Sequence, residues 1–430
     1  MPPQTILPQK TSRLVQRTPF FYGWVVLAAG TLGIIMTSPG QTYAVSIFTE
    51  HFITDLGLSR SLVSTLYAAG TLIGSFALPL VGRLIDRRGS RFMVVVIAAL
   101  FGLACIFMGL VQGALMLAIG FVSIRMLGQG SLGLVSQNVI NQWWQQRRGT
   151  VMGLSGVISS LLGLSAFPAL INWLIPQVGW RVSYGLLGGL LLLVMVPVGY
   201  FFFREQPEAY GLQPDGRSRP SPTDANQFPD HIPAEINWTL PEAMRTSAFW
   251  LVGLSAAVVA LISTGLFFHM VSLFRDNGLP PTMAAAVYTP VAIATAAATL
   301  GSGFLVDRLP LRGVLAASLL LTAVATGMAQ FLASTPLALL YGALLGAGTG
   351  LVRTIMAVAW AHYFGRAHLG SISGVGSTIL IVGAAIGPIP FALARDGLGS
   401  YAPAINGLTL LALLLAGASL LMRPPVHPGS

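Results

Sequence analysis

Arg125 and Arg353 each lie inside a long apolar run. A guanidinium in hydrocarbon costs at least about 2.5 kcal/mol and persists only when it is paired or hydrated. No Asp or Glu falls within any apolar run, Glu50 lying just past the end of the first. The planar fork of arginine holds a carboxylate by two parallel hydrogen bonds, so both residues are candidates for binding an anionic substrate. Blander roles compete with this one. Arg125 could be held by main-chain carbonyls of a neighbouring helix, and Arg353 could extend toward water at the membrane surface.

Other polar groups in apolar surroundings join the candidate set. Ser38-Pro39-Gly40-Gln41-Thr42 interrupts the first apolar run near its middle, and a broken helix exposes backbone donors to a cavity. Proline and glycine alone would explain a kink; Gln41 and Thr42 add substrate-binding capacity. Tyr67 and Tyr288 could close over a small carboxylate, or serve as packing and interface anchors. His269 could take up and release a proton, or act as a neutral hydrogen-bonding residue, and Tyr43 is its counterpart in the first run.

Catalysis has no footing, because no nucleophile, base and orienter can be grouped, and we expect no enzyme activity. The six histidines are scattered and the single cysteine, Cys105, is in an apolar run, so no metal or cofactor is expected. The glycine-rich stretches 149 to 163 and 370 to 387 follow no strand and precede no Lys-Ser/Thr pair, which makes them helix-packing surfaces rather than nucleotide loops.

The elements that must position these residues are membrane helices. Of the 430 residues 54% are hydrophobic and 8% charged, far from the roughly 25% charge of soluble domains. Soluble enzymes, nucleic-acid binders and disordered scaffolds are excluded. Runs long enough to cross a ~30 Å hydrocarbon core recur near 22 to 48, 61 to 81, 92 to 112, 115 to 140, 149 to 175, 182 to 203, 247 to 274, 282 to 305, 312 to 333, 336 to 361, 368 to 394 and 401 to 422. These twelve spans predict an all-α integral membrane protein.

With the N-terminus in the cytoplasm, 17 of the 23 basic residues fall inside, including Lys10, Arg217 and Arg219, whereas Arg60, Arg181, Arg275 and Arg395 fall outside. The positive-inside rule therefore predicts cytoplasmic termini, and the location expected is the plasma (inner) membrane. The proline-rich, acidic segment after span six reads as a cytoplasmic linker. The domains expected are a six-helix bundle over 1–203, a linker over 204–246 and a second bundle over 247–430.

The halves repeat each other. Tyr67 and Gly82-Arg-Leu-Ile-Asp86-Arg87 through Arg91 recur as Tyr288 and Gly303-Phe-Leu-Val-Asp307-Arg308 through Arg312, displaced by 221. Trp24 and Val45 to Phe48 recur as Trp250 and Val271 to Phe274, and Gly128-Gln-Gly130 with Gly133-Leu-Val135 recurs as Gly346-Ala-Gly348 with Gly350-Leu-Val352. Asp86 and Asp307, set among basic residues near helix ends, could latch one conformation through charge pairs and helix dipoles. The latch set is Gly82, Asp86, Arg87, Gly89 and Arg91, with Asp307 and Arg308 in the second half.

Gly82-x-x-x-Asp86-Arg87-x-Gly89-x-Arg91 resembles the signature loop of the major facilitator superfamily, and Arg125-x-x-x-Gln129-Gly130 resembles that superfamily's second motif. Tyr22-Gly23-Trp24, Trp143-Trp144-Gln-Gln-Arg147-Arg148 and the Arg204 to Gly216 segment are similar to the monocarboxylate transporter and oxalate:formate antiporter group. The resemblance implies two pseudo-symmetric bundles that rock about a central cavity lined mainly by spans one, four, seven and ten. That group typically carries an arginine in span eight or a lysine in span one or eleven. Here span eight has no charge before Asp307, and no lysine follows Lys10, which leaves span ten or span four to supply a cation.

The function expected is secondary transport of a small organic anion, a carboxylate, by proton symport or exchange. The alternatives are an exporter of neutral or amphipathic metabolites and a non-transporting receptor or scaffold. The expected partners are an anionic small molecule, membrane lipids and, as a candidate, protons, with no nucleic acid. The chain is expected to act as a monomer.

Overall fold

A hydrocarbon environment forces each crossing segment to satisfy its own backbone groups, which a helix does. The structure, a computed structural model, describes residues 12–216 and 237–426, and among these there is no strand. Lys10, Arg217, Arg219 and the linker around Asp224 lie outside the described residues.

Among the described residues, eleven continuous stretches are long and apolar enough to cross a membrane. One of them, Arg148–Phe202, has 55 residues and would extend roughly 80 Å as a straight helix, far more than one crossing needs. It folds back at Gly179, where φ is +78°, a left-handed conformation open to glycine. Spans five and six are therefore separate, which makes twelve crossings among the described residues.

Span one is broken as its sequence suggests. Gly23–Ile35 leads into a 3-10 turn, Ser38–Gly40, then Gln41 is extended and Thr42–Leu56 resumes the helix. The helix outruns the expected boundary and carries Glu50 and Asp55. Asp55 accepts a hydrogen bond from Trp180 Nε1 at 2.6 Å, tying span one to the turn between spans five and six.

Span four contains a π-helical segment, Arg125–Leu132, between Ala114–Ile124 and Gly133–Trp143. Its repeat partner, span ten, is an unbroken α-helix, Thr335–Phe364. The sequence repeat is displaced by 218 at Gly128 and by 217 at Gly133, so span four holds one extra residue. The wider i→i+5 turns of the π segment absorb it.

The halves meet at the linker end. Span two, Arg60–Phe76 and Leu78–Arg88, packs against span eleven, Leu369–Ile386. Span eight, Tyr288–Val306, packs against the start of span five, Arg148–Ser159. Glycines permit both contacts: a Cβ on Gly82 would strike the carbonyl of Gly370, and one on Gly303 the carbonyl of Gly149. The start of the linker also fastens here. The Asp215 carboxylate accepts from the backbone N–H groups of Gln145, Gln146 and Arg147, and Glu208 pairs with Arg366 at 2.6 Å.

Candidate functional site

A cavity of about 290 Å³ lies between the halves, lined by spans one, four, five, eight and ten. The expected lining by span seven is not found there. Closure of the linker end brings spans five and eight together, with Gly153 against the Thr299 main chain, and residues 152 to 160 and Thr299 take up that wall. Gln41, Thr42 and Tyr43, just past the break in span one, supply another part of the lining.

Arg353 sits deep inside the molecule, and the surface it leaves accessible faces this cavity. Among the described residues it is the sole charged one in the lining. Among the described residues it has no hydrogen-bond or ion-pair partner, and Tyr43 is close enough to interact with it electrostatically. Tyr43 is itself engaged, its hydroxyl 2.9 Å from Ser38 Oγ.

Arg125 is placed differently. It is 5% exposed, Nε donates to Thr71 Oγ1 at 2.8 Å, and Nη1 donates to the Gly40 carbonyl at 2.8 Å. The guanidinium also lies 4.8 Å from the Tyr67 ring centre. The main-chain carbonyl freed by the break in span one is thus satisfied by span four. Tyr67 does not reach into the central cavity; its hydroxyl donates to Thr42 Oγ1 at 2.8 Å. Loss of a charged hydrogen bond costs roughly 1.5–3 kcal/mol, so Arg125→Ala should lower the thermal unfolding midpoint of the purified protein strongly. An unchanged midpoint with weakened ligand binding would assign Arg125 to the ligand instead.

Toward the end away from the linker, a second, more apolar cleft of about 510 Å³ opens between the halves. Val45, Tyr67 and Phe121 line it from the first half, Phe268 and Leu380 from the second, and Thr42 and Gln129 are shared with the central cavity. Arg125 borders this cleft.

His269 lines neither space, despite its alignment with Tyr43. Its Nε2 is 3.2 Å from the Pro388 carbonyl and its Nδ1 3.2 Å from the Tyr401 hydroxyl, inside the second bundle. Tyr288 is likewise outside both linings and stacks on Phe267.

The two repeated aspartates find equivalent partners across the interface between halves. Asp86 accepts from the backbone N–H of Gly370 at 2.7 Å and of Ser371 at 2.8 Å, and from the Ser371 hydroxyl. Asp307 accepts from Gly149 N–H at 2.7 Å and from Thr150 N–H and Oγ1 at 2.8 and 2.7 Å. Each carboxylate therefore sits at the N-terminus of a helix belonging to the other half, where backbone donors and the helix dipole favour negative charge. The expected charge pairs are not formed: among the described residues no arginine is within ion-pair distance of Asp86 or Asp307, Arg91 Nε donates to the Tyr200 carbonyl, and Arg308 is exposed. Gly89 adopts φ +82° at the turn into span three.

Sequence reasoning missed the helix N-termini as partners and the cavity polar groups Gln129, Gln137 and Ser159. The signal for the first was the glycine-rich start of spans five and eleven; for the second it was polar residues within otherwise apolar spans.

The chain matches the family model described as Major Facilitator Superfamily over residues 30–276 and again over 252–430. It is 27% identical over 193 residues to the uncharacterized MFS-type transporter YhcA of Bacillus subtilis, covering 44% of this chain but 35% of that protein's length. It is 26% identical over 423 residues to monocarboxylate transporter 13 of Rattus norvegicus, covering 94% of this chain and 89% of that one. The fold is similar to the solved structure of the human organic anion transporter MFSD10 (TETRAN), with a TM-score of 0.65 and 16% identity over 93% of this chain and 100% of that one.

Proposed function

Because this chain belongs to the major facilitator superfamily, a family of membrane transporters, we propose that it moves a small organic anion, bearing a carboxylate, by alternating access. The observation that carries this reading is Arg353, an unpaired cation in a cavity otherwise lined by neutral groups. A cation at this depth persists only when it is paired or hydrated, and an anionic ligand supplies the pairing that the described protein groups do not. The names of a monocarboxylate transporter and an organic anion transporter among its relatives support the same class. The apolar cleft leading to the cavity favours amphipathic solutes as the second reading.

The helix-capping aspartates serve as latches in this scheme. With Asp86 and Asp307 seated and the far cleft open, the molecule is in its outward-facing state. Of the expected proton carriers, His269 and Glu50 lie outside the cavity lining, which leaves anion exchange, or a proton carried on the substrate.

Uptake into proteoliposomes of labelled carboxylates, neutral amphipaths and organic cations tests the reading. Accumulation of a carboxylate, abolished by Arg353→Gln, is expected; uptake of amphipaths alone would establish the second reading. The proposed location is the plasma (inner) membrane with both termini and the linker cytoplasmic. A tag inserted beside Asp224 should be protease-accessible only from the cytoplasmic side, and outside access would overturn that orientation.

A further inference from the structure

The central cavity contains more unmet hydrogen-bonding capacity than a bare carboxylate can use. Gln129 Oε1 and Ser159 Oγ are buried without a hydrogen-bond partner. The amide of Gln137, facing the same cavity, also has no partner among the described residues. Leaving such a group unsatisfied costs about 1–3 kcal/mol, so the ligand, or water it displaces, must supply hydrogen bonds here.

The shape of span four makes these amides a set. In a regular α-helix residues eight apart lie about 80° from each other around the axis, whereas residues seven apart nearly share a face. Gln129 and Gln137 are eight apart, but Gln129 lies in the π segment Arg125–Leu132 that absorbs one residue. The two amides are thereby brought to one face, roughly 11 Å apart along the helix. Arg353 aligns with Ser136 in the repeat, which places its cation at the depth of Gln137, toward the linker end.

We infer that, within the anion-transport reading on which this inference rests, the substrate is a polyhydroxylated carboxylate: its carboxylate binds Arg353, and its hydroxyl groups run along Gln137, Ser159 and Gln129. A glutamine amide sets an acceptor beside a donor, and a hydroxyl group can satisfy both, whereas an ionised aliphatic mono- or dicarboxylate can only accept. An ammonium group could donate, but among the described residues no Asp or Glu lines the cavity to balance it, so amino acids are disfavoured and hydroxyl groups remain. The volume, close to the lower bound of ~300 Å³ for ligand pockets, suits a short chain of this kind.

The test measures ligand-induced thermal stabilisation and equilibrium binding of purified wild type, Arg353→Gln, Gln129→Met and Gln137→Met, each checked for monodispersity. The probes are gluconate, hexanoate of the same carbon count, and sorbitol, which has the hydroxyls without the carboxylate. The expected result is gluconate binding at least tenfold tighter than hexanoate, with sorbitol weak. Either glutamine variant should weaken gluconate about tenfold and leave hexanoate unchanged, and Arg353→Gln should weaken both carboxylates. Equal affinity for gluconate and hexanoate, both dependent on Arg353, would overturn the hydroxyl assignment while sparing the anion reading. Sorbitol binding as tightly as gluconate, or carboxylate binding indifferent to Arg353→Gln, would overturn the anion reading itself. Binding of neither carboxylate overturns both.

Discussion

Substitution of Arg353 by lysine is expected to lower carboxylate affinity by about tenfold or more, although the charge is kept. Lysine presents a point charge on a flexible stem and cannot reproduce two parallel hydrogen bonds, and a charged hydrogen bond contributes roughly 1.5–3 kcal/mol. Arg353→Gln, which removes the charge as well, should reduce affinity by about a hundredfold, the equivalent of ~2.7 kcal/mol. Neither change should disturb the fold, because Arg353 makes no hydrogen bond that packing depends on, and the surface it exposes is the cavity. The contrast with Arg125 is informative: there the same residue type donates to Thr71 and to the Gly40 carbonyl, and its loss should register in stability. Binding to detergent-purified protein at matched monodispersity decides the matter. Unchanged affinity in both Arg353 variants would place the anion site elsewhere.

The second large effect concerns the closed linker end. A valine at Gly82 or Gly303 would drive a side chain into the carbonyl of Gly370 or Gly149. Overpacking of this sort costs about 1–3 kcal/mol, and here the cost falls only on the state in which the halves touch. A difference confined to one state shifts populations by about tenfold for every 1.4 kcal/mol. Both variants should therefore favour opening at the linker end, and Asp86→Asn or Asp307→Asn should act the same way by weakening the bonds to the facing helix N-termini. The readout is labelling of Gln137→Cys by an impermeant thiol reagent applied from the linker side. The native Cys105 is buried, so it should contribute little background. Labelling is expected to rise in the glycine and aspartate variants alike. No increase in any of the four would show that these contacts do not hold the end closed.

Much of this architecture is legible in the amino-acid order. Apolar length, charge asymmetry and a displaced repeat are local quantities, and hydrocarbon punishes their violation so heavily that twelve crossings and their duplication follow from them. Arg353 is visible for the same reason, since an uncompensated cation in an apolar run is anomalous before any partner is known. The break at Ser38 to Gln41 was marked by its own proline and glycine.

What the tertiary structure decided is which way each polar side chain turns and what lies opposite. Arg125 and Arg353 both lie inside apolar runs, yet one meets a carbonyl released by a broken neighbouring helix and the other faces the cavity. His269 and Tyr43 are equivalent in the repeat, but His269 is taken up by Pro388 and Tyr401 within its own bundle while Tyr43 borders the cavity. Asp86 and Asp307 find helix N-termini more than 150 residues away in the chain, partners that no local window contains. The π segment in span four turns Gln129 and Gln137 onto one face; the one-residue shift of the repeat marks an extra residue there, but only the fold decides that it is absorbed as wider helical turns. Helix formation in lipid is dictated residue by residue, whereas rotation and pairing depend on contacts between helices distant in sequence.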